Sequence, residues 1–309
     1  MPELQLEEVQ RFLEDHLGTP ITRLDAVGHG EWSQAFTFHR GATGYVVRFS
    51  NLDEDFLKDR RAMAWSSPAL PIPRILEIGN AFDGFYALSE RAPGHFLDIL
   101  SVADLRRVLP SLLGALDAAR EVDLSDSRGF GIWQPDGSAP HATWREALLS
   151  VALDPPGRRT HGWRALLEGS PAGAAAFDAA YAHMTELVDA CPNESHVVHS
   201  DLLNYNVLVQ DDQISAVIDW GSSLYGDFLF DLAWLTFWQP WYPAWQGIDL
   251  AQAAADHYAS QGLYVPNFPE RHRCYELYIG LDGLAYQAYK SRWQDVNATA
   301  QRLQALSQP

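Results

Sequence analysis

His199-Ser200-Asp201-Leu202-Leu203-Asn204-Tyr205-Asn206, followed thirteen residues after Asn206 by Asp219-Trp220-Gly221, is the stretch on which the reading of this chain turns. Between the two segments lie two β-prone runs, Val207 to Val209 and Ile214 to Ile218, joined by Gln210-Asp211-Asp212-Gln213. This pattern predicts a short hairpin with polar side chains at both ends. Apolar Val197-Val198 before the loop and Val207-Leu208-Val209 after it anchor the polar residues in buried strands, which makes a rigid constellation feasible. Two hard oxygen side chains, Asn206 and Asp219, are brought back toward each other by such a hairpin, with one further carboxylate, Asp201, on the approach to it. Phosphoryl transfer from ATP asks for these parts: a carboxylate that orients an attacking hydroxyl, and oxygen ligands for Mg²⁺ on the phosphates.

The surroundings of the hairpin differ in character. Upstream, short β-prone runs at Ala35 to His39, Tyr45 to Phe49 and Phe85 to Ser89 are separated by turn signals at Gly41-Ala42-Thr43-Gly44 and Asp83-Gly84, with one helix-like segment from Asp53 to Trp65. This predicts a small antiparallel sheet with a packed helix. From Ala103 onward the pattern is helical, with Leu105, Val108, Leu109, Leu112 and Leu113 on one face. The change falls near Ala92-Pro93-Gly94, so two lobes are expected, 1–92 and 93–309. At the N-terminus, Val9, Phe12, Leu13, His16 and Leu17 recur at helical spacing among five acidic residues, a surface helix and not a secretory signal.

Composition narrows the function classes. The 309 residues carry 22 Lys and Arg against 40 Asp and Glu, a net charge of −18. Such a field repels nucleic acid and anionic lipid and attracts cationic ligands, although a solvated acidic surface has the same composition. The aromatic stretch Phe228 to Trp245 is interrupted by Asp231, Pro240 and Pro243 and reads as a buried helix and loop, not a membrane span. Cys191 and Cys274 lack zinc or redox spacing. A cytoplasmic monomer is the expectation.

Asp201, Asn206, the hairpin and Asp219-Trp220-Gly221 together resemble the catalytic and metal-binding pair shared by protein kinases and aminoglycoside phosphotransferases. Gly226-Asp227, with Asp231-Leu232-Ala233 downstream, resembles the antibiotic-kinase branch. The hygromycin B type within it is matched by Gly30-Glu31, Ser33 and Ala35-Phe36, by Leu70-Pro71-Ile72-Pro73, and by Thr143-Trp144-Arg145. Ala216 to Trp220, Phe237-Trp238 with Trp241, and Ile279 to Asp282 match it too, so the resemblance runs in order from about residue 5 to about residue 290.

The resemblance implies a bilobal protein-kinase-like α+β fold: a nucleotide-binding lobe over 1–92, a catalytic and acceptor-binding lobe over 93–309. Asp201 takes the place of the catalytic base, and Asn206 and Asp219 the places of the metal ligands. Gly28, Gly30 and Ser33 fall in the loop over the ATP phosphates. Glu90 and Ala92 fall where such folds hold adenine through main-chain atoms. Arg48 stands where the wider pattern has Lys on the third strand; Asp59 is the preferred acidic partner, with Glu54 and Asp55 open. Trp238 and Asp282 are candidates for contact with a cationic aminocyclitol acceptor. ATP and Mg²⁺ are the implied cofactors, and an aminoglycoside O-phosphotransferase active on hygromycin B, hence a resistance enzyme, is the implied activity. A kinase of this fold acting on choline, homoserine, a thio-sugar or a macrolide remains open, as does a nucleotide-binding pseudokinase. Asp231 is read as structural, accepting hydrogen bonds from backbone near the catalytic loop.

Overall fold

A computed structural model describes residues 2–29 and 32–307. In chain order, α1 (Leu6–Leu17) precedes β1 (Thr22–His29), β2 (Ser33–Arg40) and β3 (Thr43–Ser50), then α2 (Glu54–Ala62), β4 (Ile75–Ala81), β5 (Gly84–Glu90) and β6 (His95–Phe96). There follow α3 (Val102–Arg120), β7 (Gly131–Ile132), α4 (Trp144–Leu149), α5 (Trp163–Leu167), α6 (Pro171–Leu187) and β8 (His196–Val198). The rest is β9 (Val207–Gln210), β10 (Gln213–Val217), β11 (Leu224–Gly226), α7 (Leu229–Trp238), α8 (Leu250–Ser260), α9 (Phe268–Tyr289) and α10 (Trp293–Leu306). The chain packs as two compact units, the first made of 1–99, 110–118 and 203–222, the second of 100–109, 119–202 and 223–309.

The first unit holds an antiparallel sheet in the order β1-β2-β3-β5-β4. Its hairpins close on two-residue turns, Gly41-Ala42 between β2 and β3 and Phe82-Asp83 between β4 and β5. Period-2 alternation sorts the faces. Val47, Phe49, Phe36 and Phe38 join Val9 and Leu13 of α1, Tyr86 and Leu88 in one core. Each large side chain so buried contributes roughly 1.5–3 kcal/mol. Arg48, between Val47 and Phe49, faces the other way, and in register it sits between Ala35 and Ala87, whose small side chains leave room for it.

The hairpin read from the sequence is β9–β10, closed by Asp211 and Asp212 at φ 51° and 60°, the left-handed pair of a type I′ turn. β6 adds to its edge, giving the order β10-β9-β6. At Gly94, just before β6, φ is +122°, and a Cβ there would lie 2.5 Å from the Val209 carbonyl oxygen and 2.8 Å from Ser215 Oγ. Only glycine fits both the dihedral and the space.

The second unit is built on α9, packed by α5, α6, α7 and α10. Leu277, Ile279, Leu281 and Leu284 of α9 are buried, and Gly280 lets Leu303 and Phe237 close on the helix backbone, since a Cβ would meet them at 2.5 and 2.8 Å. A small sheet, β7-β11-β8, precedes α7. Beneath it the Asp227 carboxylate accepts two hydrogen bonds from Arg271, both 2.8 Å, and one from the Tyr275 hydroxyl. The pair is fully paired and hydrogen-bonded, the condition under which buried charge is tolerated. Among the described residues no helix is long and apolar enough to cross a membrane.

Gly94→Ala is expected to destabilise the protein by about 2 kcal/mol or more, from the left-handed dihedral and the clash with Val209 together. Urea denaturation checks it; a change below about 0.5 kcal/mol would contradict the close approach.

Candidate active site

In the first unit the charged groups gather around Asp59. This α2 carboxylate is 4% exposed. One oxygen, Oδ2, accepts from the Arg48 guanidinium, and the other, Oδ1, accepts from the Trp220 backbone N–H at 2.8 Å. Arg48 therefore pairs with the preferred of the three acids left open by the sequence, and the same carboxylate ties β3 and α2 to the Asp219-Trp220-Gly221 segment. Burial works against the guanidinium charge more than any other single effect, but Asp59, Asp219 and Asp55 together raise its pKa. Phe56 lies beneath it, with 5.0 Å between the guanidinium carbon and the ring centre.

Asp219 has φ 62°, left-handed for a non-glycine residue, and the Gly221 N–H donates to its carboxylate. One side of it is open to solvent, yet enough protein surrounds it that desolvation raises its pKa; Asp59 and Asp55 add to the rise and Arg48 opposes it. Asp55 packs against Gly221 so tightly that a Cβ there would lie 2.9 Å from its carboxyl carbon. Asn206 is buried, and its carbonyl accepts from the Ile218 N–H at 2.9 Å, joining the two ends of the hairpin.

Two residues that the sequence did not single out complete this group. Lys58 is fully buried and donates to the Gly221 carbonyl at 2.6 Å. Asp98 accepts from the N–H groups of Asn204 and Tyr205 at 2.8 and 3.1 Å, holding both residues at φ 63° and 68°. For an aromatic residue such as Tyr205 that conformation is strained, and it recurs at functional loops. Lys58 reads in sequence as part of a charged, solvated face; the tertiary fold alone buries it.

In the second unit, Asp201 follows β8 and is half-buried, its N–H donating to His199 Nδ1 at 3.3 Å. Asp231, on α7, accepts from the N–H groups of His199 and Ser200, each at 2.8 Å, and so holds the turn that precedes Asp201, with Ser200 at φ 59°. Burial lifts the Asp231 carboxyl to about 6, against the two backbone donors.

The other candidates lie on several elements, four of the described ones in the first unit and two in the second. Gly28 lies in β1 opposite Ala35, and Ser33 opens β2; Gly30 falls outside the described residues. Glu90 ends β5 with its N–H on the Arg74 carbonyl, and Ala92 follows two residues later. Trp238 ends α7 and packs on Gly283 of α9, where a Cβ would meet its ring at 3.3 Å. Asp282, the neighbour of Gly283, is about half exposed and pairs with Arg158 at 2.6 Å.

A hard divalent cation fits the first group. Burial raises the pKa of Asp219 first, and Asp59 and Asp55 add to the rise while Arg48 opposes it, so added positive charge would be favoured there; Asn206 and Asp219 are the oxygen-bearing side chains at the two ends of the hairpin. Among the described residues no three His, Cys, Asp or Glu side chains form a metal cluster by themselves.

The APH phosphotransferase enzyme family model matches residues 25–274, and the chain belongs to that family. Hygromycin-B 4-O-kinase of Escherichia coli is 31% identical over 307 residues, spanning 99% of this chain and 86% of that protein. A thermostable mutant of aminoglycoside phosphotransferase APH(4)-Ia, solved in ternary complex with AMP-PNP and hygromycin B, superposes with a TM-score of 0.84 at 30% identity, covering 97% of each chain. Macrolide 2'-phosphotransferase MphH from Brachybacterium faecium, at 18% identity and a TM-score of 0.61 over 96% of this chain and 97% of that one, shares the fold alone. The fold is the kinase-like α+β fold.

Asp231→Asn tests the anchor of the loop. A folded-state pKa of about 6 lies above the ordinary carboxylate value of roughly 4. The folded protein therefore holds this proton where the unfolded chain has released it, and the stability contributed by Asp231 falls as pH rises from about 4 to 6. Relative to the Asn variant, which cannot titrate there, the wild type should lose stability across that window; a gap that is flat or widens in its favour would contradict the assignment. Near neutral pH the amide leaves one loop N–H without an acceptor, and turnover should drop.

Proposed function

We propose that this protein is an aminoglycoside O-phosphotransferase that transfers the γ-phosphoryl group of ATP to a hydroxyl of hygromycin B or a closely related aminocyclitol, conferring resistance. The carrying observation is the near full-length similarity to hygromycin-B 4-O-kinase, at 31% identity over 99% of the chain. The charge cluster of Arg48, Asp59 and Asp219 supports it.

The residues divide the work as follows. Arg48, fixed by Asp59, presents a permanent positive charge to the phosphates; its planar fork gives bidentate contacts that Lys lacks. Gly28, Gly30 and Ser33 belong to the segment assigned to the phosphates, and main-chain atoms at Glu90 and Ala92 take the adenine. Mg²⁺, when bound, would be held by Asn206 and Asp219 and would neutralise charge on the phosphate oxygens. Asp201 orients the acceptor hydroxyl and receives its proton as the new O–P bond forms and the bond to ADP breaks. Asp231 keeps the Asp201 turn in register. Trp238 and Asp282 meet the acceptor, the ring against a sugar face and the carboxylate against an ammonium group. On this reading 1–92 is the nucleotide-binding lobe, 93–309 carries catalysis and the acceptor, and the enzyme works as a cytoplasmic monomer where ATP is at hand, with no part for nucleic acid or membrane.

Mass spectrometry of hygromycin B incubated with the enzyme and MgATP should show the addition of one phosphoryl group, and cells expressing the protein should tolerate hygromycin B but not kanamycin or gentamicin. Unmodified hygromycin B, together with turnover of a neutral acceptor, would sink the substrate assignment.

Asp201→Asn should lower kcat by ~10²-fold or more with nearly unchanged ATP affinity, because a general base acts on the acceptor. Retention of more than about a tenth of wild-type kcat would remove Asp201 from that role. Arg48→Ala should raise KM for ATP and lower kcat, with Arg48→Lys restoring part of each; unaltered ATP kinetics in the Ala variant would show that Arg48 serves structure alone.

A further inference from the structure

Asp282 is not a bare carboxylate. Its Oδ1 accepts from Arg158 Nη2 at 2.6 Å, with the Asp282 side chain 47% exposed and the Arg158 side chain 22% exposed. The guanidinium is also cradled from behind: Nη1 donates to the carbonyls of Leu153 at 3.0 Å and Val151 at 3.4 Å, and its central carbon lies 5.6 Å from the Trp163 ring centre. Tyr278, one turn before Asp282 on α9, has its hydroxyl pKa raised by burial first and by Asp282 next, while Arg158 works against the rise. The three side chains therefore share one electrostatic neighbourhood.

We propose that Arg158 is a specificity-determining residue that occupies Asp282 in the free enzyme and sets how strongly ammonium-bearing acceptors bind there. The inference rests on the reading of Asp282 as an acceptor contact. An ammonium group approaching that carboxylate must share it with, or displace, a guanidinium already in place, and it meets like charge a few ångströms away. A site with Asp282 alone would take cationic acceptors of many shapes. With Arg158 seated, only an acceptor whose remaining contacts offset that competition binds well. The overall acidity of the chain makes such a local counterweight useful: a net charge of −18 attracts polycations without regard to their geometry.

Arg158→Gln keeps a donor for the two carbonyls and removes the charge. Its KM for hygromycin B should fall about twofold to fivefold, the range of a partly exposed ion pair, while KM for ATP does not move. Arg158→Lys, which keeps a cation, should return the acceptor KM toward the wild-type value. In an Asp282→Asn background the Arg158→Gln change should lower the acceptor KM by clearly less, and this cycle separates competition at Asp282 from any general loosening of the fold. A higher or unchanged acceptor KM in Arg158→Gln, or an equal fall with and without Asp282, would overturn the inference. If the wild type turns over hygromycin B, such a result defeats the role of Arg158 alone. If the wild type does not turn it over, the substrate reading fails, and the inference goes with it.

Discussion

Asp59 is where the first unit converges. Its two oxygens are spent on different parts of the chain, Oδ2 on Arg48 of β3 and Oδ1 on the Trp220 N–H, and at 4% exposure the group is shielded from bulk solvent. A buried carboxylate that loses its partner costs several kcal/mol, so the position of Arg48 and that of the Asp219 segment are coupled through one side chain. Lys58, the neighbour of Asp59, reinforces this from the same helix by holding the Gly221 carbonyl. The outcome is a guanidinium with its reach already fixed and an Asp219 carboxylate left with more negative neighbours than positive ones. On the proposed function, these are the charges that a bound cation and the nucleotide phosphates would meet.

The second unit solves a different problem with the same means. Asp231 and Asp227 are four residues apart, on and just before α7, and both are buried. Asp227 is matched by Arg271 and Tyr275 and so locks α9 to the approach of α7. Asp231 accepts instead from two backbone N–H groups, and burial leaves its pKa at about 6. Its ionised form is tolerated for what it holds, the left-handed turn at Ser200 that presents Asp201.

Much of this was legible in the sequence because the chemistry is local. The spacing of Asp201, Asn206 and Asp219, the hairpin between them, and the turns at Gly41 and Asp83 all follow from side chains within a few residues of one another. β1 and β4 escaped notice for a physical reason: both are edge strands of mixed polarity with register irregularities, so neither shows clean alternation. Lys58, Asp98 and Arg158 were invisible for another. Each is a charged residue with no motif around it, and its importance comes from a partner 163, 106 or 124 positions away in the chain. The acid partner of Arg48 is intermediate: sequence narrowed it to three residues on one helix turn and the next, and packing chose Asp59.

The central claim is that the charge imbalance around Asp219 serves nucleotide and metal binding and does not serve the fold. Calorimetric titration of Asp219→Asn with ATP, in the presence and absence of Mg²⁺, combined with thermal unfolding near neutral pH, tests it most directly. The account predicts a variant that loses the Mg²⁺-dependent part of ATP affinity while melting at or above the wild-type temperature, because a repelled carboxylate has been neutralised. A variant that keeps full Mg²⁺-dependent affinity and melts well below the wild type would show Asp219 to be structural and would contradict the account.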